Sequence, residues 1–403
     1  MARRQLLKAI NRSVILNAIK AYGPISRADI ARLTDLSPAA VTSQTAELIE
    51  DGLVYEKQEG DSRGGRRPIL LALNATGAYV VGVKLAEEQA TLVLTDLNAE
   101  VVARHAVALA EQAPEAVAAR LAGGIDELLR STRVDRSRLL GVGVGLAGIV
   151  DAAAGVCRLS PFNGWRDVPF AEMLERHVDY PVYLDNDVNT LTLVERLYGA
   201  GQQVDDFLVV TVGRGIGLGI VANGQVYRGA RGGGGEFGHT VVDPDGPLCT
   251  CGNRGCLETF AAEPWLVQHA RLNGLEVATP DALVAAAQAG NRVALDVFRR
   301  GGQILGRSMA NLVNLFNPTM VIVSGEGVRA GDFMFGPMVE ALRQHLFGPL
   351  ADDFETRVEP LGDDAWARGA ASLALRQIFH APELEAQPAR AWRALRNAQG
   401  AAS

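Results

Sequence analysis

Cysteine is scarce, with four in 403 residues. So few thiols exclude a disulfide-stapled scaffold. Yet three of the four fall within eight positions, in GHTVVDPDGPLCTCGNRGCLE at 238–258. Long apolar runs are also missing. Those present, such as YVVGV and FLVVTV, last a strand's length and are broken by Gly or charge, which excludes a transmembrane helix. The basic N-terminus, MARRQLLKAINRSVILNAIKAYG, continues as an amphipathic helix with polar breaks. It lacks the apolar core and small-residue cleavage site of a secretory signal. The expectation is a cytoplasmic protein, where thiols stay reduced and clustered cysteines mean metal more often than disulfide. With 403 residues, 48% of them apolar, the chain can bury two or three ordinary cores.

Charge is unevenly spread. Residues 1–75 carry eleven Lys and Arg against eight Asp and Glu, so the remainder is more acidic than the total of −7. That pattern suits an N-terminal module for a polyanion joined to an acidic body. Within the module, Leu6, Leu7, Ile10, Val14, Ile15, Ala18 and Ile19 recur at helical spacing, predicting a first helix that ends near YGP. Ser26 is placed to cap a second helix over SRADIARLT. Ser37 is placed to cap a third, with Pro38 at its first position and Gly52 just past its end. Ala31, Leu36, Val41 and Leu48 stand where a helix-turn-helix buries small or aliphatic side chains. The exposed face of the third helix is expected to carry Thr42, Ser43, Gln44 and Thr45, with Ser37 at its start. Such groups can bond base edges and phosphates in a major groove. LVYEKQEGDSRGGRRPILLAL then reads as two strands around a tip. Arg63, Arg66 and Arg67 on that tip can enter a minor groove or clamp phosphates.

From Tyr79 the pattern alternates strands with helices, an α/β body. YVVGVKL, ATLVLTDL and EVVARHAVAL read as strands, PEAVAARLAGGIDELLRS as a helix, and LLGVGVGLAGIVD as a further strand. A second hairpin follows at FLVVTVGRGIGLGIVANGQVY. A long helix through ILGRSMANLVNLFN leads into the strand TMVIVSGEGV. Two similar halves with a cleft between them are implied.

The motifs LDNDVN, GGEFGH and CTCGNRGCLE, within a stretch from about Tyr79 to Ile378, resemble the ROK family of repressors, open reading frames and sugar kinases. With the winged helix in front, the chain is similar to that family's transcriptional regulators of sugar metabolism. The resemblance implies a two-lobed actin-like ATPase body of the sugar-kinase, ribonuclease H-like kind. Expected boundaries are 1–75 for the winged helix-turn-helix, 76–190 for the first lobe and 191–380 for the second lobe. The second lobe would carry the cysteine loop, and its last helices can return to the first. Residues 381–403 would form an Ala-rich tail, either a docking helix or a frayed end.

Kinases of the family carry Asp-x-Gly-Gly-Thr in the first hairpin, where backbone N–H groups approach ATP. Here KLAEE stands instead. Lys84 replaces the acid, and Glu87 and Glu88 would face the triphosphate. In the second hairpin Arg214 and Leu218 replace Thr and Gly. The expectation is a lost ATP site and no enzyme activity.

The resemblance carries a sugar-ligand role onto Asn186, Asp187, Glu236, His239 and Glu258, with Gly148 beside them. Asp187 would be the kinase general base. One amide and three carboxylates offer the mixture of donor and acceptors that neighbouring hydroxyls require. His239, Cys249, Cys251 and Cys256 make one imidazole and three thiolates, a closed set suited to a structural Zn²⁺. Metal on one ring nitrogen of His239 would leave the other as a fixed N–H donor. Cys157 reads as a small buried apolar residue. The expected function is a sugar-responsive DNA-binding repressor, a homodimer or homotetramer on duplex operator DNA, taking a sugar or sugar phosphate. An active sugar kinase with an added head is the alternative. Control by a partner protein, as in some members of the family, is a third class.

Overall fold

The computed structural model describes residues 2–57, 69–351, 354–362 and 364–379. Arg63, Arg66, Arg67 and the 381–403 tail lie outside the described residues.

The N-terminal head contains α1 (Ala2–Tyr22), α2 (Arg27–Thr34) and α3 (Pro38–Glu50). Its small sheet has the order β1-β3-β2, from β1 (Ile25–Ser26), β2 (Val54–Lys57) and β3 (Leu70–Leu73). The Ser26 hydroxyl accepts the Asp29 N–H at 3.1 Å, and the Ser37 hydroxyl accepts that of Ala40 at 3.2 Å, so both helices start at a side-chain cap.

One expectation for this head fails. Gln44 and Thr45 are 6% and 0% exposed and cannot share an outward face with Thr42 and Ser43. The helical repeat is the reason: Val41, Gln44, Thr45 and Leu48 form one i, i+3, i+4, i+7 stripe, and it is the stripe that meets the core. Thr45 accepts the Arg27 Nε–H at 3.0 Å and donates to the Thr42 carbonyl at 3.2 Å, a bracing role. Ser37, Thr42 and Ser43 remain exposed.

The first lobe is built on a five-stranded sheet, β11-β7-β4-β5-β6. Its strands are β4 (Tyr79–Leu85), β5 (Gln89–Thr95), β6 (Val101–Ala108), β7 (Leu139–Leu146) and β11 (Val182–Asn186). The β4-β5-β6 run is antiparallel, whereas β7 lies parallel to both β4 and β11. Helix α4 (Pro114–Thr132) covers β5 and β6. A small antiparallel sheet of β8 (Ile149–Asp151), β9 (Val156–Ser160) and β10 (Trp165–Val168) precedes α5 (Phe170–Glu175). After β11 comes α6 (Asp187–Tyr198), a helix that crosses the expected boundary at residue 190.

The second lobe repeats the plan with the sheet β14-β13-β12-β15-β16. It comprises β12 (Phe207–Val212), β13 (Ile216–Ala222), β14 (Gln225–Val226), β15 (Met320–Ser324) and β16 (Glu355–Val358). Its helices are α7 (Glu258–Ala261), α8 (Glu263–Leu272), α9 (Pro280–Gln288), α10 (Arg292–Phe316) and α11 (Asp332–Gln344). Leu218 faces this lobe's core at 5% exposure, so it packs the sheet.

The last helix, α12 (Ala365–Phe379), lies on the first lobe's sheet and alongside α6. Gly82 and Gly143 permit this, since a Cβ at either would strike the Ala367 or Ala370 carbonyl. Leu375 and Phe379 of α12 share one apolar core with Ile15, Leu16 and Ile19 of α1. The head is therefore not sealed off at residue 75; its floor is built by the body.

Candidate ligand cleft and metal loop

Strand β11 delivers LDNDVN to the cleft floor. Asn186 caps α6: its Oδ1 accepts the N–H groups of Val188 and Asn189 at 2.8 and 3.2 Å. Its Nδ2 donates to the Gly148 carbonyl at 2.9 Å, leaving one amide hydrogen free for a ligand. Gly148 has φ +123°, and a Cβ there would meet the Leu159 carbonyl, so glycine is required. Asp185, fully buried, accepts the Arg228 Nε–H at 2.7 Å and the Asn186 N–H at 2.8 Å. Sequence reasoning misses Asp185 and Arg228, although the first lies inside the LDNDVN motif.

Asp187 accepts the Val188 N–H at 2.9 Å through Oδ1, while Oδ2 is ion-paired with Lys84 of β4. The Lys84 ammonium also stands 4.9 Å from the ring centroid of Trp366, at the start of α12. Above it the two hairpin turns meet. Arg214, between β12 and β13, pairs with Glu87, after β4, at 2.9 Å, and lies 4.0 Å over the Phe162 ring. Glu87 thus faces a cation, and Glu88 is exposed. Glu326, just past β15, accepts the Trp366 indole N–H at 2.8 Å. Glu326 is another residue that sequence reasoning misses, although SGEGV, at the end of a strand, is the signal for it.

At the other end of the cleft, Glu236 follows Gly235, whose φ of +92° turns the chain inward. Burial pushes the Glu236 carboxyl up. His239 opposes that rise, and Glu258 and Asp187 add to it, which places these three groups within electrostatic reach of Glu236. Glu258 opens α7 at 9% exposure; its Oε1 accepts the Cys249 thiol at 3.0 Å and lies 3.7 Å from His239 Nδ1.

The cysteine loop converges as its spacing implied. Ligand atoms of His239, Cys249, Cys251 and Cys256 all lie within 4.8 Å of one another. The Cys251 and Cys256 sulfurs are 3.6 Å apart, as are Cys249 Sγ and His239 Nδ1. Gly252 at φ +95° and Gly255 at +66° make the turns, and a Cβ on Gly255 would hit the Asp243 carbonyl. Three soft sulfurs and one imidazole at this spacing fit a tetrahedral metal. Cys157 is buried on β9, and burial pushes its thiol up to about 11, so it is inert.

Other proteins resemble this chain in sequence and fold. Residues 10–55 match a winged helix-turn-helix DNA-binding family. The chain is 31% identical to the xylose repressor of Caldicellulosiruptor bescii over 397 residues, covering 95% of this chain and all of the relative. It is 34% identical to the DNA-binding transcriptional dual regulator NagC of Escherichia coli, covering 83% of this chain and 85% of that one. Among solved structures, a ROK family transcriptional regulator homologous to E. coli Mlc superposes with TM-score 0.84 at 28% identity, over 93% and 97% of the two chains. A ROK family glucokinase from Streptomyces griseus, in complex with glucose and AMPPNP, aligns with TM-score 0.63 at 29% identity, over 73% of this chain and 99% of its own. Residues 80–377 match the ROK family itself, and the chain belongs to it.

Proposed function

We propose that the chain is a sugar-responsive, DNA-binding repressor that has kept a carbohydrate pocket and lost phosphoryl transfer. The observation that carries this reading is the Lys84–Asp187 ion pair. A general base at Asp187 must have an oxygen free to take a hydroxyl proton, whereas here Oδ2 is engaged by the Lys84 ammonium and Oδ1 accepts the Val188 N–H. The Arg214–Glu87 pair also ties together the two hairpin turns that the family resemblance assigns to the ATP phosphates.

The sugar is held by Asp187, Glu236 and Glu258 as acceptors, by His239 and Asn186 as donors, and by the backbone at Gly148. His239, Cys249, Cys251 and Cys256 hold a structural Zn²⁺. Their Nδ1-side approach leaves His239 Nε2 as the N–H that meets ligand. When bound, the metal supplies rigidity to the loop bearing Glu236 and Glu258. Ser37, Thr42 and Ser43 read operator DNA in a homodimer, with Arg63, Arg66 and Arg67 on the wing. Sugar closes the cleft and changes the placement of paired heads, which requires unequal affinity for the two states. No helix among the described residues is long and apolar enough to cross a membrane.

The test pairs calorimetry with glucose, xylose, N-acetylglucosamine and their 6-phosphates against ATP-dependent phosphorylation of the same sugars. Binding heat without turnover is expected; turnover at the rate of a working kinase would overturn the reading.

A further inference from the structure

Two helices begin in the cleft and end beneath the head. Helix α6 starts at Asp187 and runs 12 residues to Tyr198; α12 starts beside Trp366 and runs 15 residues from Ala365 to Phe379. At 1.5 Å per residue they span about 18 and about 22 Å. They pack side by side along this course. Their far ends meet a single side chain of α1. Lys20 Nζ donates to the Leu197 carbonyl at 3.4 Å, stands 3.7 Å over the Tyr198 ring and 4.5 Å over the Phe379 ring. Asn17, one turn earlier, donates to the Phe379 carbonyl. A cation across two helix C-termini complements both dipoles, and two ring faces add cation–π attraction.

The other end of α1 is held differently. Ala9, Arg12 and Ser13 border a cleft of about 1130 Å³ that is also lined by Arg138, Asp185 and Arg228 of the body. The polar contacts of α1 with the ends of α6 and α12 are thus made at Asn17 and Lys20, while Ala9, Arg12 and Ser13 border the cleft. That is the arrangement of a lever on a fulcrum.

We propose that Lys20 is the pivot through which displacement of α6 and α12 at the cleft is delivered to the DNA-binding head. The proposal rests on the receptor reading above for its biological use, but its mechanical part does not. Ligand at Asp187 must share that carboxylate with Lys84, and Lys84 also faces Trp366, so one event in the cleft touches the first turn of both helices. Rigid helices carry that shift to their carbonyl ends. Lys20 is where those ends meet α1.

The experiment is amide hydrogen exchange of the full chain without ligand. Lys84→Met releases the cleft end of α6, and exchange across residues 14–22 of α1 should then quicken by about threefold or more. In the Lys20→Met background the same Lys84→Met change should add no further increment, while Lys20→Arg, which keeps the cation, should preserve it. Lys84→Gln replaces Lys84→Met if the latter does not fold. Unchanged α1 exchange in Lys84→Met, or an equal increment in both backgrounds, overturns the pivot. A second arm measures operator affinity with and without the sugar that gives binding heat. The ratio should fall in Lys20→Met by about fivefold, or to one if the wild-type ratio is smaller, with the heat retained; an unchanged ratio also overturns it. A wild-type chain that binds no sugar defeats the receptor reading alone, since the exchange arm uses no ligand and decides the pivot by itself.

Discussion

Arg228 and Asp185 form the most deeply buried charge pair at the lobe junction: Nε lies 2.7 Å from Oδ2, and the carboxylate side chain is 0% exposed. The loop after β14 in the second lobe is thereby fastened to the first lobe's strand immediately before Asn186 and Asp187, the residues proposed to hold ligand. Removing one member of such a pair leaves an unmatched buried charge. Arg228→Met should therefore lower unfolding stability by about 3 kcal/mol in urea titrations, and Arg228→Met with Asp185→Asn should recover part of it.

Lys20 gives a pH signature. Burial lowers its pKa from 10.5 to about 8. Between those values the unfolded chain binds more protons at this site than the folded chain, so the Lys20 contribution to stability rises with pH across the window. Buried Tyr198 is pushed the other way and stays protonated to higher pH than the unfolded side chain, so the usable quantity is a difference. Wild type minus Lys20→Met, followed by chemical unfolding, should climb from about pH 8 to about pH 10.5 and be flat below. A flat difference throughout would mean that the ring faces and the Leu197 carbonyl fully offset burial.

Metal removal should act on both the loop and the pocket. About one zinc per chain is expected by elemental analysis. Chelation should lower the thermal midpoint by about 5 °C and abolish the sugar binding heat. Cys251→Ser should reproduce both effects. Binding heat that survives complete zinc loss would separate pocket from metal.

On the third helix the repeat separates readers from braces. Ser43→Ala should weaken specific operator binding by about 1 kcal/mol in fluorescence anisotropy without changing stability. Thr45→Val should cost about 1 kcal/mol of stability, because the Arg27 Nε–H loses its acceptor while the guanidinium keeps Glu56, and should keep the folded protein's sequence preference intact. Arg66→Ala with Arg67→Ala should weaken binding at all sequences and reduce the salt slope by about 0.9 for each phosphate that the wing no longer neutralises.

Much of this is legible in the chain because the signals are local. Ser37-Pro38 at a helix start, glycines at left-handed turns and C-x-C-x4-C spacing each constrain a few neighbouring residues, and the structure has them where local chemistry puts them. The positions that sequence misreads depend on direction or on distant partners. Thr42 to Thr45 are polar as a run, but only the 3.6-residue repeat says which of them turn inward. Glu87 reads as an obstacle to phosphate because nothing near it in sequence announces Arg214, 127 residues away. Lys84 and Asp187 are 103 residues apart, so neither motif alone discloses that the Asp187 carboxylate is already engaged.

The shared core of α1 and α12 also governs the order in which the protein can be made. Ile15, Leu16 and Ile19 emerge from the ribosome hundreds of residues before Leu375 and Phe379, their packing partners. During that interval the first helix has no complete seat. A chain interrupted before its final helix would carry its winged helix-turn-helix on an unfinished base, so prematurely terminated products should compete poorly for DNA with the finished protein.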